Sequence, residues 1–214
     1  MKKQACKKVA GALLPHLSGY RYESKPNAIF QTPIGNIFRG MIFSSSGFSS
    51  STFYPHAFVQ LLYVPVEYFT LSIGKRLNGS WEYEPGQEET LAKRLLESIE
   101  REGVFRLWDD LSTADKFARN LSKYHSNPND PYFQQAIAYS FAVCGQFGDA
   151  LNWLDKCRGT LKKMQESEPD IRWYAPLLDE VTKFRELVAS NPSDSTAQLD
   201  EWTEYTRSKL KLPA

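Results

Sequence analysis

Cysteine is scarce in this chain. Cys6, Cys144 and Cys157 are its three thiols, too few for a disulfide framework, and the odd number leaves at least one unpaired. That points to a reducing compartment, and a cytoplasmic protein is the expectation. Histidine is equally sparse. His16, His56 and His125 lie far apart and show no H-E-x-x-H spacing, so no metal site is expected. Neither a G-x-x-x-x-G-K phosphate loop nor a G-x-S-x-G nucleophile elbow is present, so the serines and glycines carry no recognisable catalytic geometry. Neighbouring acids such as Glu88-Glu89 and Asp109-Asp110 point apart on a helix and suit helix starts better than acid-base pairing. No catalytic residue and no cofactor is predicted, and the balance leans away from an enzyme. No apolar run approaches the eighteen or so residues of a membrane span, so no membrane partner is expected. Lys2, Lys3, Lys7 and Lys8 precede Val9 to Leu14 in the manner of a signal peptide. The apolar run is short and meets Pro15, so the segment reads instead as a first helix burying Val9, Leu13 and Leu17.

What the chain does have is apolar and aromatic content. Across 214 residues it is 42% apolar and 14% aromatic, ample for the core of one mixed domain or two small ones. Its net charge of +1 hides a division. Residues 1–79 hold nine Lys/Arg against two Asp/Glu, and residues 80–214 hold seventeen against twenty-three, nets of +7 and −6. The division suggests a basic region 1–79 and an acidic region 80–214, either packed as one unit or offering different surfaces to partners.

The basic region reads as strands. Asn27 to Thr32 and Asn36 to Phe43 flank Thr32-Pro33-Ile34-Gly35, whose Pro and Gly placement suits a type I turn and a hairpin. Ala57 to Val64 is an apolar, β-branched and aromatic run, and Tyr68 to Leu77 alternates Phe69, Leu71 and Ile73 with small polar residues; Pro65-Val66-Glu67 between them makes a second hairpin the expectation. The expectation is an α+β protein: an N-terminal helix, then an antiparallel sheet of about four strands with one face covered and one potentially free, then an all-helical C-terminal part.

Between the hairpins, Phe43, Phe48, Phe53 and Phe58 recur every five residues among six serines and a threonine. Five matches neither strand nor helix period, so this tract reads as a loop pinned to the sheet by aromatics. A second reading makes it a binding loop. Hydroxyls and backbone amides around Gly47, with Arg39, His56, Lys75 and Arg76 nearby in sequence, would receive an anionic group. The corresponding alternative function is a sensor or enzyme for a nucleotide or another anionic metabolite, with a pocket between sheet and helices lined by Arg39, Tyr54, His56 and Arg76.

The acidic region reads as helices. Leu91, Leu95 and Ile99 recur every four residues before a stop at Gly103. Ser112-Thr113-Ala114-Asp115 looks like a capping box opening a helix through Tyr124. Ile171 to Val188 carries a firm apolar stripe. The last helix, from about Thr196 to Leu210, offers only Leu199, Trp202 and Tyr205, a narrow stripe that makes Trp202 and Tyr205 candidates for partner binding. In residues 131–158, Ala138, Phe141, Gly145, Phe147, Ala150, Leu154 and Cys157 fall at positions that resemble one tetratricopeptide repeat. Lys162 stands where such a repeat closes on proline, and no second copy flanks it. A lone unit cannot build the repeat family's peptide groove, so the segment reads as a structural helical hairpin.

Arg21, Lys25, Arg39, Lys75 and Arg76 with Tyr20, Tyr22 and Tyr54 would give a basic, aromatic sheet surface. The cations are sparse and the acidic half repels phosphate, which disfavours nucleic acid as the partner. The order of elements, with Gly19-Tyr20, Asn36-x-x-Arg39, Ser72-Ile73-Gly74, Ala138-Tyr139 and Gly145 to Leu154, resembles an uncharacterised bacterial family of small α+β proteins with members among immunity and phage-defence candidates. The resemblance implies a protein-binding role of that type and no catalytic residues. A protein partner is therefore the leading expectation, with a small anionic ligand as the alternative.

Overall fold

The period-two half of the chain forms the sheet and the period-3.6 half the helices. The computed structural model describes residues 3–46, 49 and 51–213; Gly47, Phe48 and Lys2 lie outside the described residues. The fold is α+β, and it divides into two compact units. The first gathers residues up to Gln60, Glu67–Ser112 and the tail from Arg207; the second comprises Leu61–Val66 and Thr113–Thr206. The charge step at Gly79 therefore lies inside the first unit. Counted by sequence, the first unit has sixteen Lys/Arg and eleven Asp/Glu, and the second ten and fourteen, nets of +5 and −4.

In the first unit, α1 (Lys3–Leu13) and a short 3-10 turn (Leu14–His16) precede the strands β1 (Tyr20–Glu23), β2 (Ala28–Gln31), β3 (Ile37–Ser45), β4 (Thr52–Leu61), β5 (Gly74–Arg76) and β6 (Trp81–Glu82). Helices α2 (Glu88–Arg101) and α3 (Val104–Asp110) follow. As expected, α1 buries Val9 and Leu13, with Leu17 just beyond it. The sheet runs β1-β2-β3-β4-β5, and β6 also pairs with β4; its mapped pairs are antiparallel. The expected hairpin joins β2 and β3. Its connection differs from a type I turn: the Thr32–Pro33 peptide is cis and residues 32–36 close no hydrogen-bonded turn. The run from Tyr68 to Leu77 yields only three strand residues, because Gln60 holds residues 68–70 off the ladder. Its amide nitrogen donates to the Tyr68 carbonyl and its amide oxygen accepts from the Thr70 N–H, both at 3.3 Å. Strands β1 and β6 and helix α3 are additional to the sequence reading.

Among its described residues the Phe/Ser tract is mostly strand rather than a pinned loop, because Phe43 to Ser45 end β3 and Thr52 to Phe58 belong to β4. Phe43 on β3 and Phe53 on β4 meet edge to face with ring centroids 5.8 Å apart, and Phe53 packs on Trp81 at 6.4 Å. The spacing of ten places them across the hairpin rather than along one strand. On the opposite face, Phe38 lies 5.1 Å from Phe30, 5.0 Å from Phe58 and 5.6 Å from Phe69. Phe30, Phe38, Phe53 and Phe58 are fully buried, and each contributes roughly 1.5–3 kcal/mol relative to exposure. Ion pairs Lys8–Glu88 at 3.7 Å and Lys75–Glu102 at 3.6 Å cross the Gly79 step, so part of the charge division is matched within this unit.

The second unit holds α4 (Ala114–Asn120), α5 (Pro131–Val143), α6 (Phe147–Ser167), α7 (Tyr174–Ser190) and most of α8 (Pro192–Leu210). Thr113 caps α4 by accepting from the Lys116 N–H at 3.2 Å, and Gly145 turns α5 into α6 at φ +71°. Ala138 and Ala150 are fully buried, which lets these two helices approach closely. A polar chain crosses the core: the Tyr63 hydroxyl lies 2.7 Å from Ser140 Oγ, which donates to the Ala136 carbonyl. Beside it, Tyr139 and Gln135 both donate to the Glu180 carboxylate, at 3.0 and 2.7 Å.

Two tests follow from this packing. A Cβ on Gly40 would strike the Ile29 carbonyl and the Phe30 backbone, and one on Gly74 would strike the Ala57 carbonyl, whereas Gly148 and Gly159 in α6 have open space. Gly40→Ala and Gly74→Ala are each expected to cost about 1–3 kcal/mol in chemical denaturation, and Gly159→Ala to raise stability by a few tenths to about 1 kcal/mol. Burial raises the Glu180 carboxyl above its ordinary value of 4.5, against the Tyr139 and Gln135 hydrogen bonds that favour its ionised form. The folded state therefore holds this proton to a higher pH than the unfolded state, and the site's contribution falls as pH rises from about 4.5 through the folded value. Denaturation of wild type and Glu180→Gln at pH 5 and pH 7.5 should show the balance moving toward the variant at the higher pH.

Candidate functional site on the sheet

Period two decides which of the anticipated residues meet. Phe38 packs on Phe58 and Phe43 on Phe53, so even positions of β3 and β4 share one face and odd positions the other. Tyr54 and His56 therefore stand on the Phe58 face. Arg76 is paired directly opposite His56 across β4 and β5, and its guanidinium carbon lies 3.8 Å from the centre of the Tyr54 ring. Arg39 is at an odd position and faces the other way. It donates to Gln31 Oε1 and, at 2.6 Å, to the Trp108 carbonyl of α3. It ties β2 to α3, and the structure brings together the other three anticipated residues.

The cover on this face is partial. Phe69 lies over Phe58 and Phe38, held there by the Gln60 clasp. Beyond Phe58 the face steps down to His56 and Tyr54, both half-buried, and to Arg76, which is exposed. Arg21 and Glu23 pair at 3.8 Å on the same face, by the register of β1 on β2 and β2 on β3. The result is a ledge with a cation laid flat on an aromatic ring. That arrangement keeps the Arg76 charge partly desolvated and its N–H edge available to an acceptor. His56 is held below the ordinary imidazole range, first by burial and then by the Arg76 charge, so at neutral pH it offers a neutral donor and acceptor beside a fixed cation.

The Phe69 cover and the Gln60 clasp were not anticipated as part of the site. The one signal was a lone glutamine inside the apolar run Ala57 to Val64, which is worth noting because a buried amide needs partners. A separate hollow of about 390 Å³ lies elsewhere in the first unit, lined by Glu82, Glu84, Gln87, Thr90 and Arg94 among others. None of Arg39, Tyr54, His56 or Arg76 lines it.

In α8, Trp202 faces inward. It stacks on Tyr139 at 5.3 Å and 19° and packs on Phe184 at 5.2 Å, while Tyr205 is 41% exposed. The narrow stripe is completed by buried Ser195, Thr203 and Thr206, whose hydroxyls donate to the carbonyls of Pro192, Leu199 and Val64. Satisfied in this way, polar residues pack as a helix face.

Among the described residues no group of three His, Cys, Asp or Glu is placed to hold a metal ion, and no helix is long and apolar enough to cross a membrane. Compared with protein-family models, curated proteins and solved structures, the chain shows no match.

The ledge makes a prediction about His56. Its NMR titration midpoint should fall below 6.5, the ordinary value, and Arg76→Ala should move it upward only in part, because burial is the larger cause. An acidic partner bound at Arg76 favours imidazolium, so the midpoint should rise on binding and binding should tighten as pH falls through the free protein's midpoint.

Proposed function

We propose that this chain is a non-catalytic binding protein that engages an acidic surface of a protein partner on the Tyr54–His56–Arg76 ledge. The observation that carries the reading is the Arg76 guanidinium stacked at 3.8 Å on Tyr54 at an open step of the sheet. Arg and Tyr are residue types that concentrate binding energy at interfaces. The net of +5 on this unit favours a partner of opposite sign and speeds the encounter. A step on a sheet face suits a partner surface better than a small molecule, which needs a concave site that buries most of it. Three free thiols, Cys6, Cys144 and Cys157, support a cytoplasmic setting. Within that reading we propose a role of the immunity or defence type.

The test is affinity capture from the source organism with wild type, Tyr54→Ala and Arg76→Glu in parallel. A species retained by wild type and lost by both variants, whose melting temperatures stay near wild type, supports the reading. Equal capture by all three overturns it. So does a rise in melting temperature with nucleotides or sugar phosphates that Arg76→Glu abolishes, which would assign the ledge to a small anionic ligand.

A further inference from the structure

The second unit exposes a stacked aromatic pair on its surface. Tyr132, in the first turn of α5, and Trp173, just before α7, stack with ring centroids 5.0 Å apart and planes 25° apart. Tyr132 is 51% exposed, Trp173 37%, and the nearby Ile171 39%. Large apolar side chains grouped in this way on a surface mark a contact site more often than scattered single residues do. The shelf is braced from below. Trp173 packs edge to face on buried Tyr174 at 4.4 Å, so its ring is presented in a fixed orientation.

The charge around the shelf is acidic on both sides. On the Tyr132 side, the Asp130 carboxylate accepts from the Tyr132 N–H at 2.9 Å and contacts His125 at 3.1 Å. On the Trp173 side, the Tyr174 hydroxyl donates to the Glu168 carboxylate. Residues 164–173 contain Glu166, Glu168 and Asp170 against the single cation Arg172, and all four are exposed. The unit as a whole carries −4. A stacked aromatic pair with carboxylates on either side attracts cations and disfavours phosphate. Among biological cations, guanidinium fits both parts, because its plane stacks on the ring while its N–H fork reaches a carboxylate.

We propose that the Tyr132–Trp173 shelf is a docking site for an arginine-bearing basic peptide segment. The site lies on the acidic unit and uses none of the ledge residues, so the two assignments stand or fall separately.

The probe is a fluorescein-labelled nine-residue peptide with arginine at every third position, read by fluorescence anisotropy. Lysine and glutamate versions and a neutral oligosaccharide serve as competitors. Saturable binding is expected, stronger for arginine than lysine, absent for glutamate and falling with salt. Trp173→Ala should weaken it about threefold to thirtyfold, the range of a partly desolvated cation–π contact. Tyr132→Ala provides a second variant at a more exposed position, and Asp170→Asn should reduce the salt dependence. Arg76→Glu should leave peptide binding intact whatever the outcome at the ledge. The proposal is overturned by absent saturable binding, or by binding that persists unchanged in both aromatic variants while their melting temperatures match wild type. Displacement by the oligosaccharide as effectively as by the arginine peptide also overturns it and assigns the shelf to a sugar.

Discussion

Strand β4 is asked to satisfy two environments along its length, and much of the first unit follows from how it does so. From Thr52 to Ala57 its residues alternate between half-buried and buried, and from Phe58 to Leu61 every residue is buried. At the continuous end the strand is core, with Phe58 under Phe69 and Gln60 clasping residues 68–70. At the alternating end it is a surface, and Tyr54 and His56 face outward beside Arg76. A single strand therefore positions the ledge and anchors it to the aromatic cluster, so the site rests on a rigid element rather than on a loop.

The architecture was legible wherever period and turn chemistry agreed. Leu91, Leu95 and Ile99 are buried on α2, Gly103 takes a left-handed conformation at φ +72°, and Gly145 does the same between α5 and α6. Three things were hidden for physical reasons. Tyr20–Glu23 is short and half-buried throughout, so it lacks alternation until its pairing with β2 is known. Tyr68 to Leu77 alternates like a strand, but a single amide side chain from Gln60 takes two of the backbone groups a ladder would need. Ser195, Thr203 and Thr206 look polar in sequence and pack as core because the carbonyls that accept from them lie within reach.

The candidate site was legible as a set and not as a geometry. Tyr54, His56 and Arg76 were named from proximity to the serine-rich tract, yet what unites them is parity on β4 and the register of β5. Arg39 has the same residue type and a similar place in sequence, and one step of parity sends it to Trp108 on the opposite face. The charge division had a similar fate. The step at Gly79 marks a change of element type, but Lys8–Glu88 and Lys75–Glu102 bridge it, and the surviving contrast is the one between the two units.

Strand β5 lies at one end of the sheet order, and it is only three residues long, reading Gly74, Lys75 and Arg76. A sheet edge is a row of unmatched amides and carbonyls on which another chain can add itself. Brevity and two adjacent cations make this edge a poor template, so the side chain that lies on Tyr54 also guards against fibril-like growth.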